Sequence, residues 1–429
     1  MKYLKGSNLI VFLTCITLAL WVLSKNTLSD ISQTPLRSIS QAFSLVGLLY
    51  MMISLILSTR IRFFEDMMGG LDKVYEAHHI IGSISFVLIM HHPLLLAIQA
   101  IPHASQVVLY LFPSSLYAYN LGVVALYIMI FSFLFMVVFK LPYHLWKRTH
   151  QMLGFAGILG GAHALNITSD IAVYMPLRYW MMGWIGVGAA SFIYMLIFYY
   201  RLGSIYKYKV TRIERVLDIV NVYAQPITRK INFKPGQFAY VSFSNKGLGS
   251  EQHPFSFSSG PEDPELRFSI KMLGDYTVSI PQIKKGDFMY MKGPYGRFGE
   301  VYVNGTKPLV WIVGGIGVTP FLSMLRFQQN LLNERQIEMF YCFTTREGGV
   351  FTDEINQLTM KKKSIHVHEW CSTEKGQFSI SQIETILHQY PDYDVQICGP
   401  GPMMDSLQMQ LEVRGVSDDR IIFEKFQLI

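Results

Sequence analysis

The stretch His78-His79-Ile80-Ile81-Gly82-Ser83-Ile84-Ser85-Phe86-Val87-Leu88-Ile89-Met90-His91-His92-Pro93 decides how the chain is read. Between its paired histidines lie eleven residues without a charge, part of an apolar run at 77–99 that is long enough to cross a hydrocarbon core of roughly 30 Å as a helix. Ionisable side chains inside such a span are costly and are kept for function or for a specific polar contact. At about 100° per residue, His78 and His92 differ by only some 40° around the helix, whereas His79 and His91 differ by some 120°. His78 and His92 therefore share a face, with about 20 Å between them along the axis.

Working outward, similar apolar stretches lie near 8–24, 39–58, 119–139, 150–167 and 179–200, which predicts six membrane spans. Lys2 and Lys5 before the first stretch resemble the start of a signal peptide, but no small-residue cleavage site follows Trp21. The 150–167 stretch carries a second spaced pair, His150 and His163, among Gly154, Gly157, Gly160 and Gly161. Two parallel helices with two histidines each at matched spacing can clamp two stacked haems, His78 with His150 and His92 with His163. Bis-histidine ligation closes the iron and suits electron transfer. The alternative is that these histidines hydrogen-bond between helices or relay protons. For His79 or His91 alone that alternative is preferred.

The composition agrees with a membrane part and a water-soluble part. The 429 residues are 51% hydrophobic and only 16% charged, against roughly 25% in soluble proteins. Residues 1–202 carry 12 Lys and Arg against 6 Asp and Glu, while residues 203–429 carry 25 against 24. The net charge of +7 thus resides mainly in the membrane part. Lys2, Lys5, Arg60, Arg62, Lys73, Lys140, Lys147, Arg148 and Arg201 fall on one side, and Lys25, Arg37 and Arg178 on the other. The positive-inside rule then predicts a multi-pass protein of the cell membrane with both termini cytoplasmic. The three lysines at Lys361 to Lys363 do not make a nucleic-acid patch, and Cys15, Cys342, Cys371 and Cys398 form no C-x-x-C pair.

From Val210 the pattern changes to short strand-like runs with turn signals, which predicts an antiparallel β-barrel. Within it, His253-Pro254-Phe255-Ser256 and the segment from Lys271 through Gly274, Tyr276 and Thr277 offer an aromatic wall, hydroxyls and small residues. A flavin dinucleotide needs those types around its ring and diphosphate; a β-edge turn is the alternative. Farther on, a buried strand runs into Gly314-Gly315-Ile316-Gly317-Val318-Thr319-Pro320 and a helix, the arrangement that seats a pyrophosphate at a helix N-terminus. The alternative is a tight strand-to-helix turn. Cys398-Gly399-Pro400 follows another strand, where a thiol can approach a nicotinamide, and the strand pattern predicts a doubly wound α/β sheet. Arg346 is placed to meet a 2′-phosphate, although an ordinary surface arginine fits as well.

Taken in order, these motifs resemble the ferric reductase and NADPH oxidase family over nearly the whole chain. In the membrane part the resemblance rests on G-L-D-K-V-Y-E-A-H-H-I-I-G at Gly70 to Gly82, on His92, and on the segments around His150 and His163. In the soluble part it rests on K-P-G-Q-F at Lys234, H-P-F-S-F-S-S at His253, G-D-Y-T at Gly274, G-P-Y-G at Gly293, G-G-I-G-V-T-P at Gly314, C-G-P at Cys398 and F-E-K-F at Phe423. Ser256 stands where the family commonly has threonine. The resemblance implies a haem-binding membrane domain at 1–202, an FAD barrel at 203–304 and an NAD(P)H domain at 305–429. It also implies that Phe426 covers the flavin ring, with Gln427 to Ile429 beyond it. Hydride passes from cytoplasmic NADPH or NADH to FAD in this expectation, and single electrons then pass through two b-type haems to an acceptor outside, oxygen being favoured and a ferric chelate or an extracytoplasmic redox protein the alternatives. The catalytic positions are Ser256, Cys398 and Phe426. No nucleic acid and no obligatory protein partner are expected. A haem-free transporter or receptor with a nucleotide-sensing domain is the reading from another class. Arg178 or His103 is a candidate contact for an anionic acceptor.

Overall fold

The computed structural model describes residues 4–27, 29–101, 103–139, 141–199, 205–245, 251–327 and 335–424. The chain divides into two compact units, Met1–Leu202 and Gly203–Ile429.

The first unit is helical. Its long helices are α1 (Leu4–Leu23), α2 (Pro35–Leu57), α3 (Leu71–Gln99), α4 (Tyr117–Val138), α5 (Tyr143–Asn166) and α6 (Met175–Ile193), the last continued by a π-helical turn over Tyr194–Phe198. Among the described residues, α1, α2, α3, α4 and α6 with its continuation are long and apolar enough to cross a membrane. Helix α5 has the length but not the apolarity, because His150, Gln151, His163, Asn166 and four glycines replace branched aliphatic residues. The predicted fifth span is therefore a long helix of mixed character. Helix α2 is the most enclosed, with Leu45, Leu48, Met51, Met52 and Leu55 in the core against Ala125, Met129, Ala156 and Met181. The opposite character appears on the outside, where Phe12, Phe131, Val137, Val138 and Val187 are exposed. An apolar rim around a packed interior is what lipid contact requires.

The second unit opens with a curled antiparallel sheet of β1 (Tyr206–Val216), β2 (Ile219–Pro226), β3 (Phe238–Phe243), β4 (His253–Ser256), β5 (Leu266–Lys271) and β6 (Phe288–Tyr295). Their order is β4-β3-β6-β1-β2-β5. The two edges approach each other where Phe257, just past β4, bridges Phe268 of β5. Stacking of Phe233 on Phe257 at 3.9 Å fills the space inside with Val220, Val222, Val241 and Met289.

A parallel sheet follows, of β7 (Leu309–Gly314), β8 (Ile337–Phe343), β9 (Ile365–Cys371), β10 (Asp394–Cys398) and β11 (Ile421–Phe423), in the order β11-β10-β7-β8-β9. The inner strands β7, β8 and β10 are buried on both faces, whereas the edge strands β9 and β11 are partly exposed. One face packs on α7 (Thr319–Phe327) and α8 (Thr352–Thr359), and the other carries α9 (Gly401–Val413). Arg267 of β5, 5% exposed, donates to both oxygens of Glu354 on α8 at 2.8 and 2.7 Å and ties the curled sheet to the α/β part. A buried charge pair of this kind persists only because the guanidinium also meets the Ser258 hydroxyl and carbonyl.

Candidate functional site

In the helical unit the structure brings the predicted histidines together in pairs. His78 on α3 and His150 on α5 have ring centres 5.9 Å apart. Two imidazoles that bind one metal ion from opposite sides, with bonds of about 2 Å, hold their ring centres roughly 6 Å apart. His92 and His163 line one cavity, together with Leu45, Leu48, Val123, Gly122 and Gly160 and with the polar groups of Arg37, Gln41 and Tyr119. A Cβ on Gly122 would lie 3.0 to 3.1 Å from three ring atoms of His163, so a larger residue there would press on that imidazole. A Cβ on Gly160 would meet nothing within 4 Å. His79 and His91 are exposed, and the His91 ring is bonded to the Val87 carbonyl of its own helix.

Nδ1 is engaged in three of these four imidazoles. His78 Nδ1 lies 2.9 Å from the Ser54 carbonyl, His92 Nδ1 3.1 Å from the Ser40 carbonyl and His163 Nδ1 2.7 Å from the Ala118 carbonyl. His150 is held instead by stacking on Trp146, ring centres 5.1 Å apart. An Nδ1–H donated to a carbonyl fixes the tautomer that offers Nε2 to a metal. The donor set therefore fits bis-histidine haem ligation. Among the described residues no group of three or more His, Cys, Asp or Glu could hold a metal ion. Sequence reasoning missed Ser40, Ser54 and Gly122. It also missed Lys25, which pairs with Asp170 at 2.6 Å beside the same cavity.

In the curled sheet, the edge strand β4 presents the H-P-F-S residues. His253 stacks on Tyr276 with ring centres 3.9 Å apart, so the two predicted flavin segments meet. Burial pushes the Tyr276 hydroxyl up to about 12. Pro254 and Phe255 pair in register with Tyr240 and Ala239. The Ser256 hydroxyl is buried and has no hydrogen-bond partner among the described residues, as a group awaiting a ligand would be. Lys271 pairs with Asp218 at 3.3 Å. The Thr277 hydroxyl accepts from the amides of Leu273 and Gly274, both at 2.9 Å, and shapes the G-D-Y-T turn itself. Glu424, which the sequence did not single out, is buried beside Gly296. It belongs to the F-E-K-F motif, of which Phe426 lies outside the described residues.

In the parallel sheet, a short 3-10 turn at Gly315–Val318 separates β7 from α7, which begins at Thr319 and Pro320. The glycines divide their work. Gly315 has φ +52° and open space where a Cβ would stand. Gly314 and Gly317 press instead on the Cys398-Gly399-Pro400 turn at the end of β10. A Cβ on Gly314 would lie 2.8 Å from Pro400 Cδ, and one on Gly317 2.8 Å from the Gly399 amide and against the Cys398 carbonyl. Thr319 is buried with its hydroxyl donating to the Ile316 carbonyl at 3.2 Å. Cys398 is fully buried, and burial together with the Glu424 charge raises its thiol well above the usual range. Arg346 is exposed and bonded to both oxygens of Glu374 at 2.6 and 2.8 Å, so any phosphate there competes with a carboxylate.

Residues 43–161 match the family model described as ferric reductase like transmembrane component, residues 204–297 an FAD-binding domain and residues 311–409 an oxidoreductase NAD-binding domain. The chain has the ferric reductase/NADPH oxidase-like architecture. It joins a ferric reductase like transmembrane component to FAD-binding and NAD-binding domains. It is 30% identical over 237 residues to the propane 2-monooxygenase reductase component of Rhodococcus jostii (strain RHA1), covering 51% of this chain and 62% of that relative. It is 28% identical over 225 residues to a flavohemoprotein of Pseudomonas aeruginosa, 49% of this chain and 55% of that one. The chain thus spans somewhat more than half the length of these relatives. The crystal structure of flavohemoglobin from Malassezia yamatoensis superposes with TM-score 0.52 at 18% identity, over 92% of this chain and 98% of that one, a likeness of fold.

Proposed function

We propose that this ferric-reductase-like protein carries electrons from NAD(P)H through FAD and two b-type haems across the cell membrane to an acceptor on the far side, with oxygen the favoured acceptor. The observation that carries the reading is the His78–His150 pair, 5.9 Å between ring centres, repeated by His92 and His163 around one cavity. Bound FAD exchanges two electrons with a nicotinamide and one at a time with haem iron. Everything else is the work of the chain. His78 and His150 would hold one haem, and His92 and His163 the other, with Nε2 of His78, His92 and His163 left to the metal by the carbonyl contacts of their Nδ1 atoms. His253, Pro254, Phe255 and Tyr276 form the flavin wall, Ser256 offers its free hydroxyl to the ring edge, and Lys271, Gly274 and Thr277 shape the adjoining turn. Gly314, Gly315, Gly317, Thr319 and Pro320 receive the dinucleotide phosphates, while Cys398, Gly399 and Pro400 back the nicotinamide and Phe426 covers the flavin. Arg346 favours NADPH over NADH weakly, because Glu374 already occupies it.

The domains in this reading are 1–202, 203–304 and 305–429, with six spans once α5 is counted, and both termini cytoplasmic on the lysine and arginine bias. In helix α5 His150 and His163 are partly buried towards other helices, His150 beside His78 of α3 and His163 against the Ala118 carbonyl of α4, which makes a sixth span compatible with its composition. Ferric-chelate reduction is the second reading, favoured by the matched ferric-reductase-like component. The two separate when the purified protein receives NADPH and oxygen consumption is compared with ferric-chelate reduction in the presence of superoxide dismutase. Oxygen uptake with little dismutase-resistant iron reduction supports the oxidase; iron reduction that persists with dismutase supports the reductase. Absence of both activities, in protein that still reduces a soluble dye, refutes transmembrane transfer to either acceptor.

A further inference from the structure

Helices α2 and α3 run antiparallel and share a ladder with a seven-residue step. Its rungs are Ser40 with His92, Gly47 with Ser85, and Ser54 with His78. At the middle rung the Ser85 hydroxyl donates to the Gly47 carbonyl at 2.7 Å. At the outer rungs the same arrangement occurs twice. His92 Nδ1 is 2.8 Å from the Ser40 hydroxyl besides its contact with the Ser40 carbonyl, and His78 Nδ1 is 2.9 Å from the Ser54 hydroxyl besides its contact with the Ser54 carbonyl. Each hydroxyl in turn donates to the carbonyl of the histidine it faces, Ser40 at 2.9 Å and Ser54 at 3.5 Å.

Seven residues make nearly two helical turns, with a drift of only about 20°, so all three rungs stay on one contact line between the helices. One helix therefore holds both α3 histidines in the same way. A serine hydroxyl whose proton goes to a carbonyl has only lone pairs to offer the ring, so it accepts from Nδ1–H alongside the serine's own carbonyl. Two acceptors on one N–H make the imidazole more electron-rich, and an electron-rich ligand favours the oxidised metal. Among the described residues helix α5 shows no equivalent: His163 meets one carbonyl and His150 lies on Trp146.

We propose that Ser54 and Ser40 are positioning residues that separately set the ligand strength of His78 and His92, and with it the reduction potential of each haem. The proposal rests on the bis-histidine reading above. Its test is an anaerobic redox titration of the full-length protein in detergent, followed by visible absorption and electron paramagnetic resonance. Ser54→Ala raises the potential of one haem and Ser40→Ala that of the other. Each changes the oxidised-to-reduced ratio at a fixed poise about threefold, which is about 28 mV at 59 mV per decade. Ser54→Thr, which keeps the hydroxyl, restores the wild-type value. Ser85→Ala, which removes an equally buried hydroxyl that touches no imidazole, moves neither haem. If wild-type protein lacks two bis-histidine signals, the haem reading fails and the proposal with it. If both signals are present and neither Ser40→Ala nor Ser54→Ala moves a potential, or Ser85→Ala moves them as much, the proposal is overturned while the haem reading stands.

Discussion

Gly317→Ala tests the division of labour among the glycines after β7. The added methyl would sit 2.8 Å from the Gly399 amide and against the Cys398 carbonyl, where carbon and its neighbours normally keep about 3.5 to 4.0 Å. Because the obstacle is backbone, no side chain can swing aside, and one of the two turns must retreat by about 1 Å. Overpacking of this kind costs about 1–3 kcal/mol. For a unit of the size of Gly203–Ile429, 2 kcal/mol lowers the melting temperature by roughly 4–8 °C. The retreat carries Cys398 and Gly399 with it, and a 1 Å misplacement near the chemistry costs roughly 10²-fold in rate. Gly315→Ala meets no atom but must hold φ near +52°, at about 1–2 kcal/mol. The assay is release of flavin fluorescence on heating the full-length protein, paired with NADPH-driven reduction of a soluble dye. Gly317→Ala is expected to lower both melting temperature and turnover, and Gly315→Ala to raise KM for NADPH more than it lowers turnover. A Gly317→Ala protein with wild-type melting and turnover would refute the close approach of the two turns.

Ser256→Ala leaves both haem signals intact and slows flavin reduction by NADPH roughly 10²-fold, the effect of losing one aligned donor, as read by stopped flow; unchanged flavin reduction removes Ser256 from the site. Burial favours the neutral form of Glu338, but hydrogen bonds from His368, His366 and Tyr390 outweigh it and hold the carboxyl at about 2. A depressed carboxylate stabilises the fold above its unfolded value of 4.5 and loses that stability as pH falls towards 2. Glu338→Gln is therefore expected to cost up to roughly 3 kcal/mol at pH 7 and much less near pH 3, and an equal melting difference at both pH values contradicts this. Glu374→Gln frees Arg346 and raises the NADPH-to-NADH ratio of kcat/KM several-fold; a ratio that does not move places the 2′-phosphate elsewhere.

What the sequence made legible was local. The choice of His78 and His92 over His79 and His91 follows from helical angle, and the structure places the first two inward and the second two at the surface. The acceptors that hold those rings were not legible. Ser40 and Ser54 stand fourteen apart, as His78 and His92 do, but the coincidence acquires meaning only when the register of α2 against α3 is known. The glycines of G-G-I-G read as a pyrophosphate seat or a tight strand-to-helix turn, and at Gly314 and Gly317 the close approach is that of the Cys398-Gly399-Pro400 turn. Arg346 reads as a contact for a 2′-phosphate or an ordinary surface arginine, and only the packing of the sheet shows Glu374 paired with it. In α5, length and two histidines signalled a span, while the polar residues that carry its chemistry diluted its apolarity.

The most direct test of transmembrane electron transfer is the haem and flavin content of the purified full-length protein, followed by its absorption spectrum after anaerobic addition of NADPH. Two b-type haems per FAD, both reduced by NADPH, with one lost in His150→Ala and one in His163→Ala while dye reduction persists, is the predicted result. Protein that binds FAD but no haem, or haem that NADPH leaves oxidised, would contradict the account.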